Sequence, residues 1–352
     1  MRILVTGGAG FIGRRVVGLL TTAGHGVRVL DALLPDTHSE QQPPRFPDGV
    51  EFIEGDLRDP DTVARALRGI ELVSHHAAVV GRGREMLDAP HHVSCNDLGT
   101  ANLLAAMTGA GIGRLLLAGT VAIYGDSNYD CPEHGRVKPP RRTRADLDRG
   151  RFEPRCGRCG ADLRDSAVTE DDVVDPPRNI YAITKLTQEY LCEAWARETG
   201  AQAIALRYHN VYGPGIPYQS PYSGVAAVFR SAVARGEAPQ LYEDGNPTRD
   251  FVHVSDVAAA TMTALTLDRP GYRAYNVASG IPHSIGDVAR ALSAARGGRP
   301  PVVTGQYRIG DVRHIVASPQ RLMRETGWRP AVDFESGMKE FAHEPMSGGP
   351  EG

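Results

Sequence analysis

"RILVTGGAGFIGRRVVGLLTTAG" (residues 2–24) carries three signals in order. A short apolar run, 2–7, ends in glycine and reads as a buried strand. Apolar residues at 12, 16, 17, 19, 20 and 23 then fall at helical spacing, with Gly24 as a stop signal. Between them Gly7, Gly10 and Gly13 are spaced G-x-x-G-x-x-G. A chain that turns from strand into helix around a pyrophosphate needs a tight turn, a close backbone approach and close helix–sheet packing. Each need favours a residue without Cβ, and the helix N-terminus supplies a positive field. Phe11 and Ile12 open the helix beside this turn. The stretch therefore predicts a strand–turn–helix unit that binds a dinucleotide.

Working outward, "VRVLD" (27–31) is the next strand, and Asp31 ends it 24 residues after Gly7. An acid there accepts from both hydroxyls of an adenosine ribose and repels a 2′-phosphate, which favours NAD over NADP. Strands at 51–56, 70–78, 114–120 and 201–210 follow, with helices at 59–67, 96–107 and 181–198. Such alternation predicts an α/β fold, a doubly wound parallel sheet of the Rossmann type covered on both faces. After residue 210 the chain becomes rich in Gly, Pro and Tyr. Helices are expected near 222–235, 256–267 and 284–296, with a strand at 250–254. The domain reading is a Rossmann domain from 1–210 plus about 240–268, a smaller C-terminal α/β substrate domain from 211–239 plus 269–345, and a disordered tail at 346–352.

Bulk properties narrow the function. The chain has 352 residues, 41% of them apolar, and a net charge of −3. No basic field points to nucleic acid. No apolar run reaches the ~18 residues of a membrane helix. Structure begins at the first residues without a signal segment, and five cysteines is an odd count, so a cytoplasmic protein without a disulfide scaffold is expected.

"YAITK" sets Tyr181 and Lys185 four apart, on one face of a helix. A free tyrosine ionises near ~10. A neighbouring ammonium, with the positive nicotinamide of NAD, favours the phenolate and makes it a usable base.

With these residues in place, the chain resembles the extended short-chain dehydrogenase/reductase family, in its NAD-dependent nucleotide-sugar epimerase/dehydratase branch. The likeness rests on "TGGAGFIG", "GDL" (55–57), "HHAA" (75–78), "NDLGT" (96–100), "AGTVAIYGD" (118–126), "YAITK", "LRYHNVYGPG" (206–215), "RDFVHVSD" (249–256) and "RIGDVRH" (308–314). It covers nearly everything except 127–172. The resemblance implies that Asp56 and Leu57 hold the adenine, and that Ala77 and Ala78 line the dinucleotide path. Asn96 would support the cofactor site, Lys185 would bond the nicotinamide ribose, and Tyr208 would line the same site. Thr120 takes the place of the hydroxyl residue that bonds the reacting sugar oxygen. Asn210, Arg249, Arg308 and Asp311 would bind the nucleotide sugar, the arginines pairing with its diphosphate, with Arg313 ranked below Arg308. A homodimer through the helices at 96–107 and 181–198 is implied as well, although their apolar faces are equally explained by packing within the chain.

Family chemistry begins with oxidation at the sugar C4 and diverges afterwards. The dehydratases carry an Asp-Glu pair after the catalytic threonine, the decarboxylating enzymes a glutamate two residues after it, and the 3,5-epimerases a cysteine there. Val121 and Ala122 match none of these. What remains is 4-epimerisation: a 4-keto intermediate, rotation, and hydride return to the other face. Within the branch the chain looks most like bacterial 4-epimerases of deoxysugar or related nucleotides. An NAD(H)-dependent reductase or dehydrogenase with net redox change would use the same Thr–Tyr–Lys set. A non-catalytic NAD-dependent sensor is a third reading.

Thr120 and Tyr181 lie 61 positions apart, longer than the resemblance implies, so 127–172 reads as an insertion. It holds "CPEHG" (131–135) and "CGRCG" (156–160), two hooks of the kind zinc ribbons use. The segment has few large apolar residues and ten Arg or Lys between 131 and 165. A structural Zn²⁺ on Cys131, His134, Cys156 and Cys159 would offset its ordering entropy. A disulfide or redox pair, and unliganded cysteines on a loop, are the alternatives. The insertion is expected near the mouth of the pocket, shaping the sugar site or extending a subunit contact.

Overall fold

The computed structural model describes residues 1–35, 38, 45–81, 86–172, 179–218 and 224–348. Seven parallel strands form the main sheet, in the spatial order Gly271–Val277, Gln202–Tyr208, Arg114–Thr120, Leu72–His75, Arg2–Thr6, Gly26–Asp31, Glu51–Glu54. The order reverses between Arg2–Thr6 and Leu72–His75. A crevice opens beyond the carboxyl ends of strands at such a switch point.

Residues 3–6 are all fully buried. Side chains alternate along a strand, so Ile3 and Val5 enter one core layer and Leu4 the other. The first layer packs helices Phe11–Thr22 and Val254–Ala264 against the sheet. The second packs Pro60–Ala66, Gly99–Gly109 and Ile180–Thr199. A separate cluster around Phe229, Phe251, Leu292 and Phe341 holds the smaller α/β part together.

Three expectations are corrected. Residues 271–277, assigned by pattern to the smaller domain, form the edge strand of the main sheet through seven paired residues with Gln202–Tyr208. The predicted tail begins too early: Met346 is buried and Ser347 bridges Pro217, whereas 349–352 lie outside the described residues. The helix expected near 96–107 starts further back, as Ala89–His92, a π-helical Val93–Leu98 and then Gly99–Gly109. The first residues of the helix expected at 222–235 also lie outside the described residues; its described part is Gly224–Ala234. Among the described residues no helix is long and apolar enough to cross a membrane.

The inserted segment folds on itself. Asn128–Cys131 pairs antiparallel with both Gly135–Val137 and Arg164–Ser166. Its core holds Tyr129, Leu163, Val137 and Ala161 around Cys131 and Cys156. Two of the few buried side chains in this lobe are therefore cysteines, and apolar burial alone gives it little stability.

Candidate active site and the inserted lobe

A cavity of about 1050 Å³ opens at the switch point. At its floor Gly7 has φ +68°, and a Cβ there would meet the Ala77 backbone nitrogen at 2.5 Å. A Cβ on Gly13 would sit 2.2 Å from the Gly7 carbonyl. Only glycine fits either position. Helix Phe11–Thr22 begins at Gly10 with no capping side chain and no acid in its first turn. Its first N–H groups thus face the cavity as an anion site.

Asp31 closes the far wall. Its carboxylate accepts from the Ala9 and Leu33 N–H groups, each at 3.0 Å, and lies 3.6 Å from His38 Nε2. Asp56 and Leu57 line the same end. The Asp56 carboxyl is held below its ordinary value by hydrogen bonding to Arg58. Phe11, Ile12, Ala77, Ala78 and Tyr208 also line the cavity. The Tyr208 hydroxyl turns away to Thr261 at 2.9 Å, so the ring carries its contribution.

Asn96 stands behind the wall instead of on it. Fully buried in the π-helical segment, it accepts from the Val79 N–H at 2.7 Å and donates to Val79 O and Thr184 Oγ1. It thereby ties the loop after Leu72–His75 to the helix bearing Tyr181 and Lys185.

Thr120 is the last residue of its strand and caps the short 3₁₀ turn Val121–Tyr124, accepting from the Ala122 N–H at 3.2 Å. Helix Ile180–Thr199 starts at Asn179, whose side chain accepts from the Ala182 N–H at 2.8 Å. These two caps bring Thr120 to Tyr181. Burial pushes the Tyr181 phenol above its ordinary value, and a hydrogen bond from Thr120 opposes this. Burial lowers the Lys185 ammonium to about 8, opposed by Glu189. Lys185 Nζ donates to Gln188 Oε1 at 2.5 Å, and Gln188 Nε2 donates to Thr100 Oγ1 at 2.6 Å. Thr100 also meets His75 Nε2 at 3.0 Å. His75 and Thr100 entered the sequence reading only as members of the motifs at 75–78 and 96–100, and Gln188 not at all; its i, i+3 spacing from Lys185 was the available signal.

On the opposite side Asn210, Arg249, Arg308 and Asp311 all line the cavity. Asn210 donates to Asp250 O at 3.1 Å, and Arg308 lies over the Tyr242 ring at 5.0 Å. Arg249 also directs its fork at backbone carbonyls. It donates to the carbonyls of Thr248, Val312 and Arg313 at 2.6–2.9 Å, which braces the neighbouring loop. Arg313 is 1% exposed, stands outside the cavity lining, and pairs with Glu153, Glu243 and Asp244.

In the inserted lobe, Cys131, His134, Cys156 and Cys159 converge, with their ligand atoms all within 4.8 Å of one another. Cys131 Sγ is 3.4 Å from His134 Nδ1 and 3.6 Å from Cys159 Sγ. Tetrahedral ligands about 2.3 Å from a zinc ion lie roughly 3.5–3.8 Å from each other. All five cysteines are free of disulfides. None of the lobe's described residues lines the cavity, so the lobe does not form its wall directly.

The NAD dependent epimerase/dehydratase family matches residues 3–145 and 157–278, and the gap between the two matches falls inside the lobe. The dTDP-L-rhamnose 4-epimerase of Burkholderia thailandensis is 33% identical over 347 residues, 97% of this chain and 93% of that protein. The UDP-glucose 4-epimerase of Thermus thermophilus, solved in complex with NAD, is 33% identical with a TM-score of 0.74, covering 97% of this chain and 98% of that one. The UDP-glucose 4-epimerase of Thermotoga maritima, solved with UDP-glucose, is 29% identical with a TM-score of 0.79, covering 97% of each chain. On the match of profile, sequence and site together, the chain belongs to the NAD dependent epimerase/dehydratase family.

Proposed function

We propose that the protein is an NAD-dependent 4-epimerase of nucleotide sugars. The observation that carries the reading is the composition of the reacting corner. Thr120, Tyr181 and Lys185 line it together with Val121 and Ala122, which move no protons. This set suits removal and return of one proton at one oxygen and no further elimination. Bound NAD supplies the hydride acceptor and donor that takes C4 to a ketone and back. Tyr181 accepts the hydroxyl proton and later returns it, Thr120 holds the same oxygen, and Lys185 supplies positive charge beside the phenolate. The glycine cradle, the uncapped helix start and Asp31 fit the pyrophosphate and adenosine ribose of NAD. The relatives named above, two of them solved with NAD or UDP-glucose, support the same class of substrate.

Incubation with a panel of nucleotide sugars, followed by NMR, is expected to give a C4 epimer with no net change in NAD. With substrate deuterated at C4, the label stays at C4 in the product. Loss of the label to solvent, or turnover that consumes added NADH, overturns epimerisation and favours the net-redox reading.

The inserted lobe is read as a structural zinc site on Cys131, His134, Cys156 and Cys159, with all four positions filled by protein. A homodimer is read from Val93, Leu98, Ile183 and Tyr190, which are exposed on the helical stretch 93–109 and on Ile180–Thr199. Sedimentation at micromolar concentration should give twice the chain mass; a single-chain mass overturns it.

A further inference from the structure

We propose that the inserted lobe positions the nucleotide-sugar-facing loop 307–315, with Arg142 and Glu153 as its positioning residues. The loop supplies Arg308, Ile309, Gly310, Asp311 and Val312 to the cavity. Little regular structure holds it: a turn from the Asp311 N–H to Arg308 O at 3.2 Å, and the two-residue strand His314–Ile315. Its consecutive carbonyls are instead capped from two directions. Arg249 takes those of 312 and 313, while Arg142 from the lobe donates to Asp311 O at 2.6 Å.

Arg142 is itself fixed. Its other Nη donates to Glu243 Oε1 at 2.8 Å and to Phe152 O at 3.3 Å. Glu243 is buried at φ +54°, an unusual setting for a residue with a side chain, and its second oxygen accepts from Arg313 at 2.8 Å. Glu153 reaches the same loop from the lobe. It accepts from Arg313 Nε at 3.1 Å and meets His314 Nε2 at 2.9 Å. Asp148 of the lobe also accepts from the Tyr307 hydroxyl at the loop's start. Three remote segments thus close one largely buried ionic network, in which charged, partly desolvated hydrogen bonds hold geometry better than neutral ones. The lobe leaves the cavity wall to the loop and sets where that wall stands.

The consequence for ligand binding rests on the nucleotide-sugar reading; the mechanical claim does not. The test uses holoenzyme variants Arg142→Ala, Arg142→Lys and Glu153→Ala, with Arg155→Ala as control, because Arg155 pairs with the exposed Asp162 on the lobe's surface. Hydrogen exchange of amides 309–313 should accelerate about tenfold or more in the two alanine clamp variants and not in the control, the scale of one lost charged hydrogen bond. Dissociation constants for UDP or dTDP, whichever the parent binds, should rise about tenfold, with kcat at saturating sugar and NAD content unchanged. Arg142→Lys, keeping a donor and the charge, should recover part of both. A role limited to stability would lower Tm without moving either readout. Unchanged loop exchange in the folded Glu153→Ala or Arg142→Ala protein overturns the proposal. Failure of the parent to bind either nucleotide sinks the nucleotide-sugar reading instead, while the exchange comparison still decides the clamp.

Discussion

Tyr181→Phe is expected to lower kcat by about 10³-fold, within the range for loss of a positioned general base. Phenylalanine keeps the ring and the packing of helix Ile180–Thr199, and removes only the atom that takes the C4 proton. NAD content, KM and Tm should therefore stay near those of the parent. A Phe variant retaining a tenth of the parental rate would remove Tyr181 from the chemistry. The pH dependence follows from the same corner. The base works ionised, so kcat rises with pH. Burial holds the phenol above its ordinary value, and cationic charge is required to bring it down. Lys185, itself lowered by burial to about 8, is charged at neutral pH and loses that charge above it. Lys185→Met should consequently shift the rising limb to higher pH and reduce turnover at neutral pH by about 10²-fold. A limb left in place would show that the ammonium does not support the phenolate.

Withdrawal of the proposed zinc is expected to unfold the lobe and spare the main sheet. Protein prepared without chelator should hold about one zinc per chain; less than about 0.3 would reject the site. In small zinc-dependent folds the ion supplies roughly 10 kcal/mol or more of folding free energy. Against that, the lobe's own core is a handful of side chains, two of them the cysteines proposed as ligands. Chelation, or Cys156→Ser, should release the metal and strip exchange protection from 128–166. The sheet strands and bound NAD should remain. Protection in 128–166 that survives complete metal loss would mean that the ionic contacts with 243–244 and 307–315 suffice to hold the lobe.

The parallel sheet was legible because its strands are short apolar runs broken by glycine and acid, and Ile3–Thr6 is inside on both faces. The strand Gly271–Val277 escaped notice for the opposite reason. "GYRAYNV" mixes Arg273 and Asn276 into an edge position, and Asn276 is buried because its amide has partners in Val168, Ser318 and Tyr124. The glycine turn and the Tyr–Lys pair were readable because local spacing fixes their geometry. The residues behind them were not. Arg207 and Glu189 form a buried pair 18 positions apart, and Gln188 reaches Thr100 across 88. Such contacts depend on which strands become neighbours. The arginines illustrate the same limit: proximity within one motif could not say that Arg308 faces the cavity while Arg313 serves the lobe.

Asn128 and Ser166 are paired neighbours in the antiparallel ladder at the root of the lobe. The chain thus leaves the strand that ends in Thr120 and comes back to nearly the same point at Ser166. Closure entropy grows only slowly with the length enclosed, so the detour adds little strain to the folding of the core. The distance from Thr120 to Tyr181 is insulated from the contour length that separates them in the gene product. A segment rooted in this way behaves as a cassette: its contour length is decoupled from the register of Thr120 and Tyr181, while its contacts with 307–315 stay its own concern.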